Sequence, residues 1–348
     1  MSSSTKSFAN YNAVELLGSG HFGVVYKALN TGTGGQVALK IIVSKSETEA
    51  LEVLKEAKAL QAVTNKHTVK INTAFNVKLG GQFLSLIDMP LVKGGTLEDL
   101  FKSNQLAVRD ILKAIRHILN GLSGVHTGGI IHRDIKPANI LVDGGNFLLG
   151  DFGLAQSSNA SIKNLPAYMR HHPPELNQFH SLYDSNISPS EKYDIYATGM
   201  SLFRLLLPKN KYTIDQRLFS EWMKNSKNKT LPDFIGYPAY IPQKLKKIIQ
   251  KSTALDRDKR YSTATEMLKE VERLNVDINW SLPPTSPKWE SATDVDKIHT
   301  LEIKSSRRTT KFKYSVNGRK NRKYPSVTGT LEECQKAFLK TAQKSMLK

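Results

Sequence analysis

The segment His132-Arg133-Asp134-Ile135-Lys136-Pro137-Ala138-Asn139, with Asp151-Phe152-Gly153 after it, gathers a carboxylate, an ammonium, a carboxamide and a second carboxylate into a short stretch of chain. Asp134 can accept or orient a hydroxyl proton, and the Lys136 ammonium can neutralise charge on a moving anionic group. Asn139 and Asp151 offer hard oxygen ligands of the kind that magnesium takes together with phosphate oxygens and water. Each residue alone would be an ordinary loop polar group. In this order and spacing they suit phosphoryl transfer, which asks a protein for positioning and charge neutralisation.

Residues that handle a phosphoryl group need a scaffold that brings a nucleotide to them. Gly18-Ser19-Gly20-His21-Phe22-Gly23-Val24-Val25 is a G-x-G-x-x-G-x-V run. Its glycines lack Cβ and let the backbone approach phosphates closely. Val14-Glu15-Leu16-Leu17 before the run and Val24-Val25-Tyr26-Lys27-Ala28 after it alternate like paired strands. That disfavours a dinucleotide-binding turn, which requires a helix directly after the glycines.

On these motifs the chain resembles the eukaryotic-type serine/threonine protein kinase family, with Lys136 resembling its serine/threonine branch. The resemblance implies an α+β, bilobal protein kinase fold: a small β-rich N-lobe over about 11–89 and a large helical C-lobe over about 91–278, after a flexible stretch 1–10. It implies ATP and Mg2+ as cofactors, with Mn2+ as a substitute, and transfer of the γ-phosphate to protein serine or threonine hydroxyls with Asp134 as catalytic base. A pseudokinase scaffold and a small-molecule kinase of the same fold are the competing readings.

Val37-Ala38-Leu39-Lys40 matches the strand that carries the family's phosphate-binding lysine, and Lys40 then needs a helical glutamate to hold it. Glu49 to Val63 reads as that helix. Glu47, Glu49 and Glu52 compete for the role, but Glu56 shares a face with Leu60 and takes it. ATP would be lined by Gly18, Ser19, Gly20, His21, Phe22, Gly23, Val25, Ala38 and Lys40, with Met89 closing the adenine pocket and Leu141 beneath the base. The backbone of Pro90, Leu91 and Val92 would meet the adenine edge, although Pro90 offers only a carbonyl. Arg133, Glu175, Asp194 and Arg260 fall at the family's structural positions, with Arg260 expected to pair with Glu175.

Residues 151–175 depart most from the family pattern. Asn164-Leu165 stands where Gly-Thr is usual, and His171 and His172 are read as loop residues packed on the large lobe. Arg133 beside Asp134 marks the type activated by phosphorylation, for which Ser157, Ser158 and Ser161 are the acceptors at hand. Thr96 and Ala138 replace acids that select basic substrates, which tilts the expected target sites toward acidic or neutral sequences.

Composition bounds the setting. No apolar run reaches the roughly 18 residues that would span a bilayer, so no membrane partner is expected. Met1-Ser2-Ser3-Ser4 carries neither a signal-peptide apolar region nor the glycine that myristoylation requires. Cys334 is the sole cysteine, which excludes an internal disulfide and predicts a reducing, cytoplasmic setting, or a nuclear one in a eukaryote.

The formal net charge is +19, and residues 288–348 hold 15 Lys and Arg against 6 Asp and Glu. Residues 279–287, with Pro283, Pro284 and Pro287, read as a linker into this basic module. Strand-like runs at 298–303 and 310–316, the Asn317-Gly318 turn and a capping box at Thr330 and Glu333 predict a small β-β-β-α extension. Its cations (Arg307, Arg308, Lys311, Lys313, Arg319, Lys320, Arg322, Lys323) interleave with Phe312, Tyr314 and Tyr324. That pattern would bind nucleic acid by phosphate contacts and base stacking, or else present a basic surface to the kinase or an acidic protein.

Overall fold

The computed structural model describes residues 6–20, 23–103, 106–152, 156–157, 171, 173–177, 190–208, 216–225, 228–282, 287–291 and 297–348. His21, Phe22, Ser158, Ser161, Leu165 and His172 lie outside them, as does the Ser157 side chain. The chain divides into two compact units.

The first unit comprises residues 1–97, 117–169 and 179–194. It opens with an antiparallel sheet of β1 (Lys6–Phe8), β2 (Tyr11–Gly20), β3 (Gly23–Asn30), β4 (Gln36–Ser44), β5 (Thr73–Leu79) and β6 (Gln82–Pro90), ordered β1-β2-β3-β4-β6-β5. Period-two alternation buries Tyr11, Ala28, Val37, Leu39, Ile41, Leu84 and Leu86 on one face of it, with Phe8, Tyr26, Phe75 and Val77 packed against them. The helix α1 (Glu47–Ala62) crosses between β4 and β5. Ser46 caps it by accepting from the Glu49 amide at 3.2 Å.

Helices dominate the chain beyond β6. After α2 (Leu97–Lys102) and β7 (Leu106–Ala107), the long α3 (Val108–Thr127) buries Ile111, Ile115, Ile118, Leu122 and Val125, a stripe at helical spacing. β8 (Ile130–Ile131), the hairpin of β9 (Ile140–Asp143) and β10 (Asn146–Leu149), and β11 (Gln156–Ser157) then frame the loop 132–139.

The second unit comprises residues 98–116, 170–178 and 195–348. It holds α4 (Pro174–Asn177), most of α5 (Glu191–Leu205) and helices at Gln216–Asn225, Leu231–Ile235, Gln243–Ser252 and Ala264–Glu272. Thr230 and Thr263 cap the second and fourth of these helices. The small β-rich part and the large helical part thus succeed one another along the chain as the kinase resemblance implied.

The stretch expected to be a linker is in part built into this unit. Trp280 is fully buried, and β12 (Ser281–Leu282) pairs with β7. The Trp280 carbonyl accepts from the Val108 amide at 3.0 Å, and Asn279 Oδ1 accepts from the Arg109 amide at 2.8 Å. Prolines signalled a linker, but the indole of Trp280 outweighs them. It packs 5.1 Å from the Trp289 ring and donates to Ser345 Oγ at 3.0 Å.

Beyond it, β13 (Lys288–Glu290), β14 (His299–Ser305), β15 (Thr310–Val316) and β16 (Arg319–Lys320) form a sheet, with β17 (Val327–Gly329) also on β15. Three of these strands are too short to register in an alternation pattern. Asn317 and Gly318 turn the β15–β16 hairpin with φ of 49° and 75°, the double left-handed geometry that an Asn-Gly pair favours. The helix Leu331–Met346 starts with the capping box of Thr330 and Glu333 and buries Cys334, Phe338, Ala342 and Met346. Phe312 and Tyr314 are buried too, at 0% and 1% exposure. Lys323 is committed to Asp277 at 2.8 Å, and Tyr324 packs edge-on against Tyr314. Base stacking on Phe312 and Tyr314, one expected use of the module, is therefore ruled out by their place in its core.

Candidate active site

Strand register assembles the first half of the site. Val25 pairs with Lys40, Ala38 with Met89, and Lys40 with Ile87. Cross-strand partners and alternate residues share a face, so Val25, Ala38, Lys40 and Met89 lie together on the side opposite the Tyr11–Leu39 core. Gly18 and Gly20 lie at the end of β2 across from Val25 and Gly23, with Ser19 across from Val24. At Gly23 only glycine fits: φ is +124°, and a Cβ would lie 2.3 Å from the Ile41 carbonyl oxygen. Pro90 ends β6, half-buried Leu91 and Val92 come directly after it, and Leu141 sits on β9 in a bridge to Thr96.

Lys40 is buried, and its ammonium contacts Asp151 Oδ1 at 2.6 Å. Burial alone would raise the Asp151 pKa. The Lys40 charge and hydrogen bond outweigh burial and hold the carboxyl below its usual range. The expected Lys40–Glu56 pair is thus replaced by Lys40–Asp151. Glu56 lies half-buried on α1, where burial, together with repulsion from Glu52 and against attraction from Arg133, pushes its carboxyl up to about 7. Lys40 and Asp151 lie 111 positions apart, so no local pattern in the sequence could choose between the two carboxylates.

The loop 132–139 is organised around Asp134. Its Oδ2 accepts from Lys136 Nζ at 2.7 Å and from Asn139 Nδ2 at 2.8 Å, which leaves Oδ1 for an incoming hydroxyl. Asn139 Nδ2 also donates to the Asp134 carbonyl at 2.8 Å, so its amide nitrogen is committed and its oxygen is the end able to ligate a cation. His132 is fully buried, and burial lowers its pKa against the pull of Asp194 and Asp134. The neutral ring suits its partners: Nε2 donates to the Gly150 carbonyl at 2.9 Å, and Nδ1 accepts from the Asp134 amide at 3.2 Å.

Asp194, on α5, fastens this loop from below. It accepts from the backbone amides of His132 (2.8 Å) and Arg133 (2.7 Å) and from His126 Nε2 (2.8 Å). Arg133 and Asp151 both adopt left-handed backbone, with φ of 68° and 54°. Such conformations cost about 1–3 kcal/mol each and persist where surroundings over-determine them, here through Asp194 and Lys40.

His126 is the residue supporting this loop that sequence reasoning passed over. Its only signal was position, at the end of α3 six residues ahead of His132. Burial opposes its charge, but Asp194 on one side and Glu191 at 3.3 Å on the other push its pKa to about 9.

In the second unit, Arg260 makes a two-pronged bond to Glu175 at 2.7 and 2.6 Å, over the ring of Tyr196. His171 is buried there and accepts from Arg204. Among the described residues no cluster of three or more His, Cys, Asp or Glu could by itself hold a metal. The donors near Asp134 are instead one carboxylate, Asp151, and one amide oxygen, Asn139. That hard pair suits Mg2+ when phosphate oxygens and water complete the shell.

Comparison with known proteins agrees with the geometry. The family-wide pattern of the protein kinase domain matches residues 11–271. The probable serine/threonine-protein kinase PknB of Lactococcus lactis is 29% identical over 76% of this chain and 42% of its own length. The serine/threonine-protein kinase PknL of Mycobacterium tuberculosis is 27% identical over 74% of this chain and 64% of its own. A Dictyostelium discoideum relative, the serine/threonine-protein kinase stk11 homolog, is 28% identical over 75% and 44%. The chain thus matches less than two thirds of each relative's length, and no described helix is long and apolar enough to cross a membrane. A match that runs from β2 through the last helix before Trp280, over loops whose geometry brings Asp134, Lys136 and Asn139 together, places this chain in the protein kinase family.

Proposed function

We propose that the chain is a serine/threonine protein kinase that moves the γ-phosphate of ATP to hydroxyls of protein substrates. The observation that carries this reading is Asp134, held by Lys136 and Asn139 with Oδ1 left over, in the same compact unit as the Lys40–Asp151 pair. The hydroxyl oxygen of the substrate attacks the γ-phosphorus, the bond to the β–γ bridging oxygen breaks, ADP leaves, and the hydroxyl proton passes to Asp134. Lys136 neutralises charge on the group in transit, and Lys40 takes up phosphate oxygens in exchange for Asp151. Glu56 steadies Lys40 once the lysine has left Asp151.

Val25, Ala38, Met89 and Leu141 would enclose adenine, and the backbone of Gly18 to Gly23 would cover the phosphates. Asn139 and Asp151 would hold Mg2+, which supplies charge neutralisation on the phosphates when bound. The names of the relatives support the choice of serine and threonine.

The test is magnesium-dependent transfer of label from γ-labelled ATP to a mixed protein pool. Label on serine or threonine that vanishes in Asp134→Asn is the expected result. Normal turnover by Asp134→Asn would remove the assignment.

A further inference from the structure

Asp88 puts a carboxylate into the core of the six-stranded sheet, at 3% exposure. It lies across from Leu39, on the face where Ile41, Leu84 and Leu86 are apolar. Its Oδ2 accepts from Tyr11 Oη at 2.8 Å and from Asn30 Nδ2 at 3.3 Å, and its Oδ1 accepts from Asn72 Nδ2 at 2.8 Å. Among the described residues these partners are all neutral. Burying an acid on neutral donors alone is costly where an apolar side chain would fill the space, so packing does not call for an acid at this position.

Each donor is turned toward Asp88 by its own surroundings. Asn30 Oδ1 accepts from the amides of Gly32 (3.0 Å) and Thr33 (3.2 Å) in the turn into β4, which leaves Nδ2 as the end that faces Asp88. Tyr11 is buried against Phe75, with ring centroids 6.3 Å apart. Burial, together with the nearby Asp88, holds its phenol above the usual range, so Oη keeps its proton to donate. Asn72 adds its backbone amide to the Asp88 carbonyl at 2.8 Å, and its own carbonyl accepts from Gln61 of α1 at 2.9 Å. β2, the β3–β4 turn and the approach to β5 thus converge on one side chain.

Asp88 is also the last residue of β6 with a strand on each side. β5 begins at Thr73, across from it, while β4 continues alone opposite Met89 and Pro90. We propose that Asp88 is a positioning residue for adenine, which faces away from the site and fixes, through the backbone, where Met89, Pro90 and Leu91 stand. The proposal rests on the assignment of those residues to the adenine subsite. Side chains alternate along a strand, so Asp88 on the core face puts Met89 on the face shared with Ala38 and Lys40. Pro90 has no amide with which to hold the end of the strand. The Asp88 carboxylate supplies that anchorage just before it.

The experiment measures binding of adenosine and of ATP to the full chain by titration calorimetry, with kcat and KM for ATP alongside. Asp88→Asn sets an NH2 group against donors and should weaken both ligands and raise KM about 10-fold, with kcat within about 2-fold of wild type. Tyr11→Phe removes one donor, keeps the ring beside Phe75 and should weaken adenosine about 3-fold. Asp88→Asn/Asn72→Asp exchanges donor and acceptor across the same contact, so every hydrogen bond can form again, and both affinities should return to within about 2-fold of wild type. Thr263→Ala, which removes a helix cap in the second unit, should lower the thermal midpoint without moving either affinity. Should Asp88→Asn not fold, Tyr11→Phe and the exchange decide. Adenosine affinity unchanged in Asp88→Asn and Tyr11→Phe, kcat falling as far as affinity, an exchange no better than Asp88→Asn, the same loss in Thr263→Ala, or no adenosine binding by wild type would each overturn the proposal. Adenosine binding is read without phosphotransfer, so a failed transfer assay bears on the kinase reading and a flat variant series on this one.

Discussion

His126 Nε2 lies 2.8 Å from Asp194 Oδ2, and through that contact a histidine at the end of α3 holds the carboxylate that fixes the backbone of His132 and Arg133. With Glu191 on its other nitrogen, the ring is an imidazolium at neutral pH.

The sign of the pH dependence is set by that contact. The folded pKa of His126 is raised to about 9 from 6.5, so its contribution to stability is complete below about 6.5 and is lost as pH rises through 9. His126→Gln should lower stability at pH 6 by up to about 3 kcal/mol, and the deficit should shrink toward pH 10. Denaturant unfolding of both proteins across that range checks it.

Glu56 behaves in the same sense in a lower pH window. Its carboxyl is raised from 4.5 to about 7, so the folded chain holds the proton more tightly and stability falls as pH rises across that window. Glu56→Gln should abolish this slope. Unfolding midpoints should then favour the variant increasingly from about pH 4.5 to 7 and stay level above it.

For Asp134→Asn, kcat should fall by about 10²–10⁴-fold, the usual scale for a lost proton acceptor, with ATP affinity nearly unchanged. Asp151→Ala should instead weaken binding of magnesium-ATP, because it removes the charged member of the ligand pair. Titration calorimetry with and without magnesium separates the two.

Removing Arg260 leaves the Glu175 carboxylate without its two-pronged partner. Arg260→Ala should cost about 3–5 kcal/mol. Arg260→Lys should recover only part of this loss, since an ammonium cannot match both oxygens. Thermal unfolding of the two variants gives the comparison.

What the sequence made legible was whatever local order dictates. The positions of Asp134, Lys136 and Asn139 within one loop, the strand alternation around Lys40, the Asn317-Gly318 turn and the Thr330–Glu333 capping box all depend on neighbours within a few residues. The choice of Asp151 over Glu56 as the partner of Lys40 joins residues 111 positions apart, and no local pattern encodes it. Alternation in 310–316 was readable as a strand, but which face would be inward was decided by the helix Leu331–Met346, so Phe312 and Tyr314 were assigned to a surface they do not reach. His126 was visible only as a helix terminus, because its meaning comes from Asp194, 68 residues on.

The short pairing of β12 with β7 bears on anyone preparing the catalytic part alone. The family match stops at residue 271, yet Asn279 and Trp280 accept from the first amides of α3, donors that a helix start cannot satisfy from within. A truncation designed on homology would leave those amides open and take away the indole that Trp289 and Ser345 enclose. The recombinant fragment that looks like a whole kinase domain on paper would be a partly uncapped protein with a raw hydrophobic seam, and it should precipitate where the full chain stays in solution.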